Sequence, residues 1–492
     1  MRIGLTKQLP SLAFIALWIA CGCADAKAAP QPSPITITLD ATNPGAVIPP
    51  DFMGLSFEVI QLLPDTNGVH YFRPDNQPLV NLFRTLGIRH LRIGGSTADR
   101  NAKQLPDEAD LDSFFAFAKA VDVKVIYCLR LHGGDPQADI QTAKYIMDHY
   151  AAQMDCFSIG QESSGYPKPY SYLDYQGDWK EFADALIAAV PGIKFCGPEI
   201  HNNGEWARRF MEDFGRSNQV ALITEHLYPG NAPRKVATPE IGRDRMLTDD
   251  LTMTNSFPLA YEKLYNSFVP ECISNGLPYR LDEVNSFFGG GRRDVSDTFA
   301  SALWGLDYSW WWATHDAAGL DFHTGDTVAF GARLVPSSYA AYYTATNGYD
   351  IHPLAYGLKA FVMGSQGRLV PLTISNPDHL NLNAYAVLGG DKNLYLTIIN
   401  KEHGTNARDA EISISQNSAG FMQGQAMFLT VSNNDVAATS GETLGGAEIK
   451  NDGSWNGKWQ NLDVPLTDNL DNGVFYLKIP SASAAVVKLT PK

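Results

Sequence analysis

Val123-Lys-Val-Ile-Tyr-Cys-Leu-Arg-Leu131 is followed by the helix-period segment Ala138-Asp-Ile-Gln-Thr-Ala-Lys-Tyr-Ile-Met-Asp-His-Tyr150, and then by Cys156-Phe-Ser-Ile-Gly160. Two apolar runs of strand length with a helix between them describe a β-α-β unit, and the runs are apolar enough to be covered on both faces. The same alternation extends in both directions, over residues 49–365. Further strands are predicted at Phe52–Phe57, His90–Gly94, Ile193–Gly197, Ala221–Leu227, Tyr279–Val284 and Leu320–His323, with helices at Leu111–Val121, Trp179–Val190 and Phe299–Thr314. Eight strands with crossover helices predict a (β/α)₈ TIM barrel. A doubly wound open sheet is the competing architecture, but no Gly-x-Gly-x-x-Gly opens a helix after the first strand.

Near residue 365 the texture changes. Leu369–Ile374, Ala384–Leu388, Leu394–Asn400, Ala410–Ile414, Met427–Val431, Phe475–Ile479 and Ala485–Leu489 are short β-rich runs separated by Asn-Pro, Asp-Gly and Asp-Asn-Gly turn signals. Residues 366–492 are therefore expected to form a C-terminal β-sandwich. Within residues 29–48, Ile35-Thr-Ile-Thr-Leu39 alternates like a half-buried strand and needs a partner, which the sandwich can supply. With no long low-complexity linker, the two units should dock tightly.

Residues 1–28 combine a basic start (Arg2, Lys7), an apolar run from Leu12 to Ala20 and small residues from Ala24. That is the pattern of a secretory signal peptide, too short for a membrane span, and it predicts a secreted or periplasmic protein. A lipid anchor at Cys21 or Cys23 is disfavoured by Trp18, which stands where a small aliphatic residue is wanted. Cys128, Cys156, Cys196 and Cys272 remain; three lie in predicted strands, where a thiol behaves as a small buried hydrophobe, so free thiols are expected. No Cys-x-x-Cys or His-Glu-x-x-His supports a metal site, and no cofactor is implied. The formal net charge of −15 excludes a nucleic-acid binder and disfavours long-range attraction of polyanions.

Barrels of this kind place reactive groups at the C-terminal ends of their strands. Those ends carry Glu58; Gly95-Ser-Thr-Ala-Asp99; Arg130 and His132; Gln161-Glu162; Glu199; Glu225-His-Leu-Tyr228; Asp282-Glu-Val-Asn285; and His323. A rim of carboxylates with His and Tyr suits sugar chemistry. Glu162 and Glu283, on the fourth and seventh strands, are the pair expected to flank a scissile bond. Retaining cleavage needs two carboxyl groups about 5–5.5 Å apart, one neutral to protonate the leaving oxygen and one ionised to attack the anomeric carbon. The negative charge of one should help hold up the pKa of the other, and Tyr228 is placed to hydrogen-bond Glu283.

Taken together, Gly54-Leu-Ser-Phe-Glu58, Leu91-Arg-Ile-Gly-Gly-Ser96, Ser158-Ile-Gly-Gln-Glu162, Glu225-His-Leu-Tyr-Pro229 and Glu283-Val-Asn-Ser-Phe-Phe-Gly-Gly-Gly291 resemble glycoside hydrolase family 79 of clan A, the β-glucuronidase and heparanase family. The resemblance covers nearly the whole chain after the leader. It implies a retaining exo-β-glycosidase with Glu162 as acid/base and Glu283 as nucleophile. It also implies that Glu58 and Asp99 grip sugar hydroxyls and that Tyr228 and the loop Phe288-Gly289-Gly290 face the C6 substituent. Gln161, His226 and His323 would line the same pocket. Two departures stand out. The family has Asn where this chain has Gln161, which must re-aim its amide toward the 2-hydroxyl. Phe287-Phe288 stand where uronate-binding relatives offer a tyrosine hydroxyl; losing one charge-assisted hydrogen bond costs on the order of 1.5–3 kcal/mol.

Bland readings stand beside these. Each glutamate alone is compatible with a loop cap or salt-bridge partner. Alternation along the strand turns Asp282 toward the helices, a structural role. Arg92 divides equally between burial in an ion pair and support of a catalytic carboxylate. Trp304, Trp310, Trp311 and Trp312 read as barrel–helix packing, and Arg292-Arg293 as a solvated face. The functional alternatives are a retaining hydrolase of neutral sugars, an endo-acting enzyme, and a non-catalytic carbohydrate-binding barrel.

Overall fold

A computed structural model describes residues 34–416, 420–462 and 474–491. The signal-peptide and lipid-anchor expectations fall on residues outside these. Strand β1 (Ile35–Leu39) is followed by eight strands that close into a parallel barrel: β2 (Met53–Glu58), β3 (His90–Gly94), β4 (Lys124–Leu129), β5 (Met154–Ile159), β6 (Phe195–His201), β7 (Val220–Leu227), β8 (Tyr279–Val284) and β9 (Gly319–His323). The ring shuts where Met53–Ser56 pair with Leu320–His323.

Crossover helices are set by their own sequence signals. Asp107 caps Glu108–Val121 and Asp110 reaches back to the Asp107 N–H, a reciprocal capping box. Ser171 and Asp174 do the same for Tyr172–Ala189. Pro136 begins the helix ending at Tyr150, where its missing N–H costs nothing. The tryptophan cluster packs as expected: Trp304, Trp310 and Trp312 are fully buried on the helix Phe299–Ala313, and Trp304 Nε1 donates to the Tyr261 hydroxyl at 2.7 Å. The N-terminal end of the barrel is plugged by Asp321, which accepts from His90 Nδ1 at 2.7 Å and Arg280 Nη1 at 3.2 Å.

After β9 the chain forms two hairpins, β10 (Thr327–Phe330) with β11 (Arg333–Pro336) and β12 (Tyr342–Ala345) with β13 (Gly348–Ile351), and then a helix at Pro353–Gly364. The β-rich unit beyond it has two sheets. One runs Leu372–Ser375, β1, Ala410–Gln416, Phe475–Ile479; the other contains Gly367–Val370, Leu382–Gly389, Leu394–Asn400, Ser483–Pro491, Phe421–Val431 and Glu442–Leu444 in that order. Leu369–Ile374, read from sequence as one strand, is two. Pro371 has no N–H for a ladder and marks the crossing between the sheets. Strand β1 pairs parallel to Ala410–Gln416 and antiparallel to Leu372–Ser375, with Ile35, Ile37 and Leu39 all turned into a core shared with Leu396, Ile398, Ile412 and Val487.

The two units are joined by packing and charge. Trp310 stacks on Tyr385 with ring centroids 5.2 Å apart, and buried Lys401 bridges to Asp307 at 2.7 Å and to Asp249. Cys128, Cys156, Cys196 and Cys272 are free and buried. Among the described residues, no helix is long and apolar enough to cross a membrane.

Candidate active site

The C-terminal mouth of the barrel holds a pocket of about 210 Å³ lined by Glu58, Ser96, Arg100, Gln161, Glu162, His201, Tyr228, Glu283, Phe288, Gly289, His323, Phe330 and Tyr339, among others. That is below the ~300–1,000 Å³ of drug-sized ligand sites and suits one sugar ring better than a polymer. Glu162 and Glu283 both face it. One oxygen of each, together with one His226 nitrogen, lies within 4.8 Å of the others.

Glu283 is the more tightly held. Its Oε1 accepts the Tyr228 hydroxyl at 2.8 Å, as the sequence suggested, and its Oε2 accepts Arg92 Nη1 at 2.7 Å and Gln161 Nε2 at 3.1 Å. Burial alone would raise its pKa. The charges of His323, His226 and Arg92, with the Tyr228 bond, outweigh burial and keep Glu283 well below the usual carboxylate range. An ionised carboxylate in this position is a competent nucleophile.

Glu162 follows β5 in a left-handed backbone conformation (φ 46°) that non-glycine residues rarely adopt. Its Oε1 lies 3.3 Å from His226 Nδ1 and its Oε2 3.2 Å from Arg100 Nη2. Burial and the charge of Glu283 push its pKa up, but the hydrogen bond from His226 and the charges of His201 and His226 prevail and lower it. The charge of Glu283 acts in the expected direction, but the histidines around Glu162 outweigh it.

His226 is fully buried, with Nε2 3.0 Å from Glu199 Oε2 and Nδ1 on Glu162, so it lies behind the carboxylates and not on the pocket wall where the sequence reading put it. Burial would lower its pKa, but Glu283, Glu162, Glu199 and Asp282 hold it well above the ordinary histidine value. Both ring nitrogens face carboxylates, and as an imidazolium His226 donates to both sides. Arg92 lies beside it, completely buried, donating to Glu283, to Gln161 and, at 2.6 Å, to Glu199. Both sequence readings of Arg92 are expressed in these contacts: it is a buried ion-pair partner, and one of the carboxylates it holds is Glu283.

Several expected sugar-binding residues have other work. Asp99 does not reach the pocket. Its Oδ1 accepts the N–H groups of Leu131 (3.1 Å) and His132 (2.6 Å), and its Oδ2 accepts the Gln161 N–H (2.9 Å) and the Tyr166 hydroxyl. It anchors the turn that presents Glu162. Gln161 lines the pocket, but its amide is committed to Arg92 and Glu283. Glu58 is at the wall, fixed by Thr97 (N–H 2.9 Å, hydroxyl 2.7 Å) and the Ala329 N–H (3.0 Å). His323 lines the pocket with Nδ1 3.0 Å from Ser56 Oγ.

Gly289, Gly290 and Gly291 all have left-handed φ (72°, 89°, 83°), a run no other residue type sustains. A Cβ on Gly289 would meet the Phe330 ring at 2.6 Å, and one on Gly290 the Pro336 carbonyl oxygen at 2.6 Å. Gly289 reaches the pocket, whereas Gly290 sits behind it against the β10–β11 hairpin. Phe287 is buried against Phe257, so only Phe288 faces the pocket.

Sequence reasoning missed Arg100, His201, Phe330 and Tyr339. His201 was within reach of it: the expected fifth barrel strand stopped at Gly197, but β6 continues through an irregularity at Pro198/Ile200 to His201. Tyr339 had no local signal, because it enters from the connection between the two hairpins. Asp282 is a correction. The pairing of β8 slips between Leu281 and Val284, which breaks strict alternation and turns both Asp282 and Glu283 inward. Its Oδ1 lies 3.6 Å from His226 Nε2.

No protein-family model matches the chain. A β-glucuronidase of Aspergillus niger is 23% identical over 181 residues, 35% of this chain; the chain spans about a third (32%) of the length of that relative. Among solved structures, a 4-O-α-L-rhamnosyl-β-D-glucuronidase from Fusarium oxysporum superposes with TM-score 0.67, 17% identity and coverage of 92% of this chain and all of that one. The GH51 arabinofuranosidase of Xanthomonas axonopodis pv. citri gives 0.66 at 13% identity, over 93% of this chain and all of the other, and the α-L-arabinofuranosidase of Thermotoga maritima gives 0.64 at 14% identity, likewise over 93% and 100%. Barrel and β-rich unit together thus form a fold shared with glycoside hydrolases, and the chain's neighbours in both sequence and structure are enzymes of that class.

Proposed function

We propose that this chain is a retaining exo-β-glycosidase of the family 79 kind that removes a terminal β-linked uronic acid outside the cytoplasm. The observation that carries this reading is the approach of Glu162 and Glu283 across one pocket, with oxygens within 4.8 Å. Inverting enzymes separate their carboxyls by about 6.5–9.5 Å to admit a water; the closer spacing supports direct attack. Glu283 attacks the anomeric carbon as the bond to the leaving oxygen breaks, and Glu162 gives that oxygen its proton. Glu162, now ionised, takes a proton from water, whose oxygen displaces Glu283 and restores both groups. Because His226 and His201 hold Glu162 low, a sugar ring that excludes water from the carboxyl favours its protonation.

The uronic-acid part rests on the far wall. Phe288 cannot donate a hydrogen bond, but the buried Tyr339 hydroxyl neighbours the Gly290 N–H and the Tyr228 hydroxyl. Gly290 itself lies behind the pocket, so the donor offered to a carboxylate at this wall is the Tyr339 hydroxyl. Phe288 and Phe330 form an apolar flank in the same pocket, ring centroids 6.0 Å apart, and favour a neutral pentose or hexose as the second reading.

A panel of aryl β-glycosides, followed by NMR for the anomer first released, tests both. Turnover of the β-glucuronide with release of the β-anomer is expected. Turnover of neutral glycosides alone moves the conclusion to the second reading, and first release of the α-anomer ends the double-displacement mechanism. Glu283→Gln should lower kcat by at least about 10³-fold. Azide should restore turnover to Glu162→Ala on substrates with good leaving groups.

A further inference from the structure

Beneath His226, two carboxylates face each other. Glu199 and Asp282 are both fully buried, and one oxygen of each lies within 4.8 Å of the other and of Cys196 Sγ. Backbone irregularities bring them there: Glu199 has φ 57° and sits in the slip at Pro198/Ile200, and Asp282 sits in the slip between Leu281 and Val284. Left-handed backbone at a non-glycine residue is unfavourable and persists where the surroundings impose it.

Their partners differ. Glu199 accepts from Arg92 at 2.6 Å and from His226 at 3.0 Å. Neither Asp282 oxygen has a hydrogen-bond donor; Arg92 Nε at 3.9 Å and His226 Nε2 at 3.6 Å are too distant. An ionised carboxylate buried without a donor is costly, whereas a neutral carboxyl is itself the missing donor, with Glu199 as its acceptor.

We propose that Asp282 and Glu199 share one proton and act as a single monoanion that keeps His226 an imidazolium beneath the acid/base Glu162. This makes both carboxyls positioning residues, and it rests on the reading of Glu162 given above. Burial and the neighbouring charge of Glu199 raise the Asp282 pKa well above the carboxylate range, which agrees. The groups facing His226 are Glu162, Glu199, Asp282 and Glu283, with Arg92, His201 and Glu225 nearby. The thiols of Cys128, Cys156 and Cys196 are pushed up by burial and stay neutral. Two cations, Arg92 and His226, then face two anions, Glu283 and the pair, while Glu162 meets His226 on one oxygen and Arg100 Nη2, 3.2 Å away, on the other.

A shared charge has a distinctive signature. Asp282→Asn leaves the charge on Glu199 and keeps a donor toward it. Glu199→Gln hands the charge to Asp282, which then accepts from the new amide. Only the double variant removes the monoanion. The test follows the imidazole of His226 by ¹⁵N NMR from pH 6 to 9, and the pH profile of kcat/KM on an aryl β-glycoside, in all four proteins. The imidazolium is expected to persist at pH 8 in wild type and both single variants and to be lost in the double. The limb set by Glu162 should hold its position in the singles and rise by about one pH unit in the double, where the nearby cation is gone. A neutral His226 in wild type or in Asp282→Asn at pH 7 overturns the proposal, as does a shift in either single variant as large as in the double. The NMR arm needs no substrate, so failure of the glycosidase reading shows up separately. Should the double variant not fold, wild type and the isosteric Asp282→Asn decide the question.

Discussion

The Tyr228 hydroxyl, just past the end of β7, donates at 2.8 Å to Glu283 Oε1 on the neighbouring strand β8. This bond favours the ionised form of Glu283 and fixes its orientation. A charge-assisted hydrogen bond of this kind contributes about 1.5–3 kcal/mol, or roughly 10–150-fold in rate. Tyr228→Phe should therefore lower kcat within that range while leaving the fold intact. Steady-state kinetics beside a thermal melt checks it, and an unchanged kcat removes Tyr228 from the chemistry.

Arg92 is a different case, because stability and activity should fall together. It is the fully buried partner of both Glu199 and Glu283. Replacing it with methionine strands two carboxylates, and breaking a buried pair in this way costs about 3–5 kcal/mol. Chemical denaturation should report a loss of that order at pH 7, and catalysis should be abolished. A variant as stable as wild type would show that water reaches this floor.

For Asp99 the expected outcome separates architecture from recognition. Its carboxylate serves three backbone N–H groups and the Tyr166 hydroxyl. Asp99→Asn should lower the melting temperature and kcat through the Gln161–Glu162 turn, with KM little changed. A large rise in KM at unchanged melting temperature would restore it to the sugar pocket.

Tyr339 bears on the choice of sugar. Tyr339→Phe should reduce kcat/KM on an aryl β-glucuronide at least tenfold more than on the matching β-glucoside, since only the former carries a carboxylate. Equal losses on both substrates would count against the uronate reading.

Glu225 gives a pH dependence with a definite sign. It points away from the pocket, its Oε2 accepting the Asn203 N–H at 3.3 Å and its Oε1 without a partner. Burial raises its pKa to about 8. The folded state thus binds a proton that the unfolded chain, with a glutamate pKa near ~4.3, releases. Its contribution is fully present below the unfolded value and is lost as pH rises through about 8. Glu225→Gln mimics the neutral acid. It should match wild type in melting temperature near pH 4 and exceed it at pH 8; parallel pH profiles would show that Glu225 does not titrate in this window.

The barrel was legible because parallel strands covered on both faces are written as apolar runs of the right length, and the ends of β5 and β8 put Glu162 and Glu283 where they stand. The acidic network behind them was not legible. Asp282 faces inward only because β8 slips in register, and a two-residue alternation cannot foresee that. Asp99 sits in the right loop, but its chemistry is spent on the backbone, which sequence does not reveal. Tyr339 arrives from a connection whose path depends on the hairpins around it.

The strand Ile35–Leu39 is bonded to residues some 377 positions further along, Thr36 to Ser413 and Thr38 to Ser415. During synthesis it emerges before the whole barrel, yet its partners come after. Its open edges must wait through all the intervening translation, a hazard for mispairing. Leu372–Ser375 and Ala410–Gln416 therefore act as a clasp, gathering an early strand that has been held in suspense while the intervening barrel is made, and fastening two distant portions of the chain.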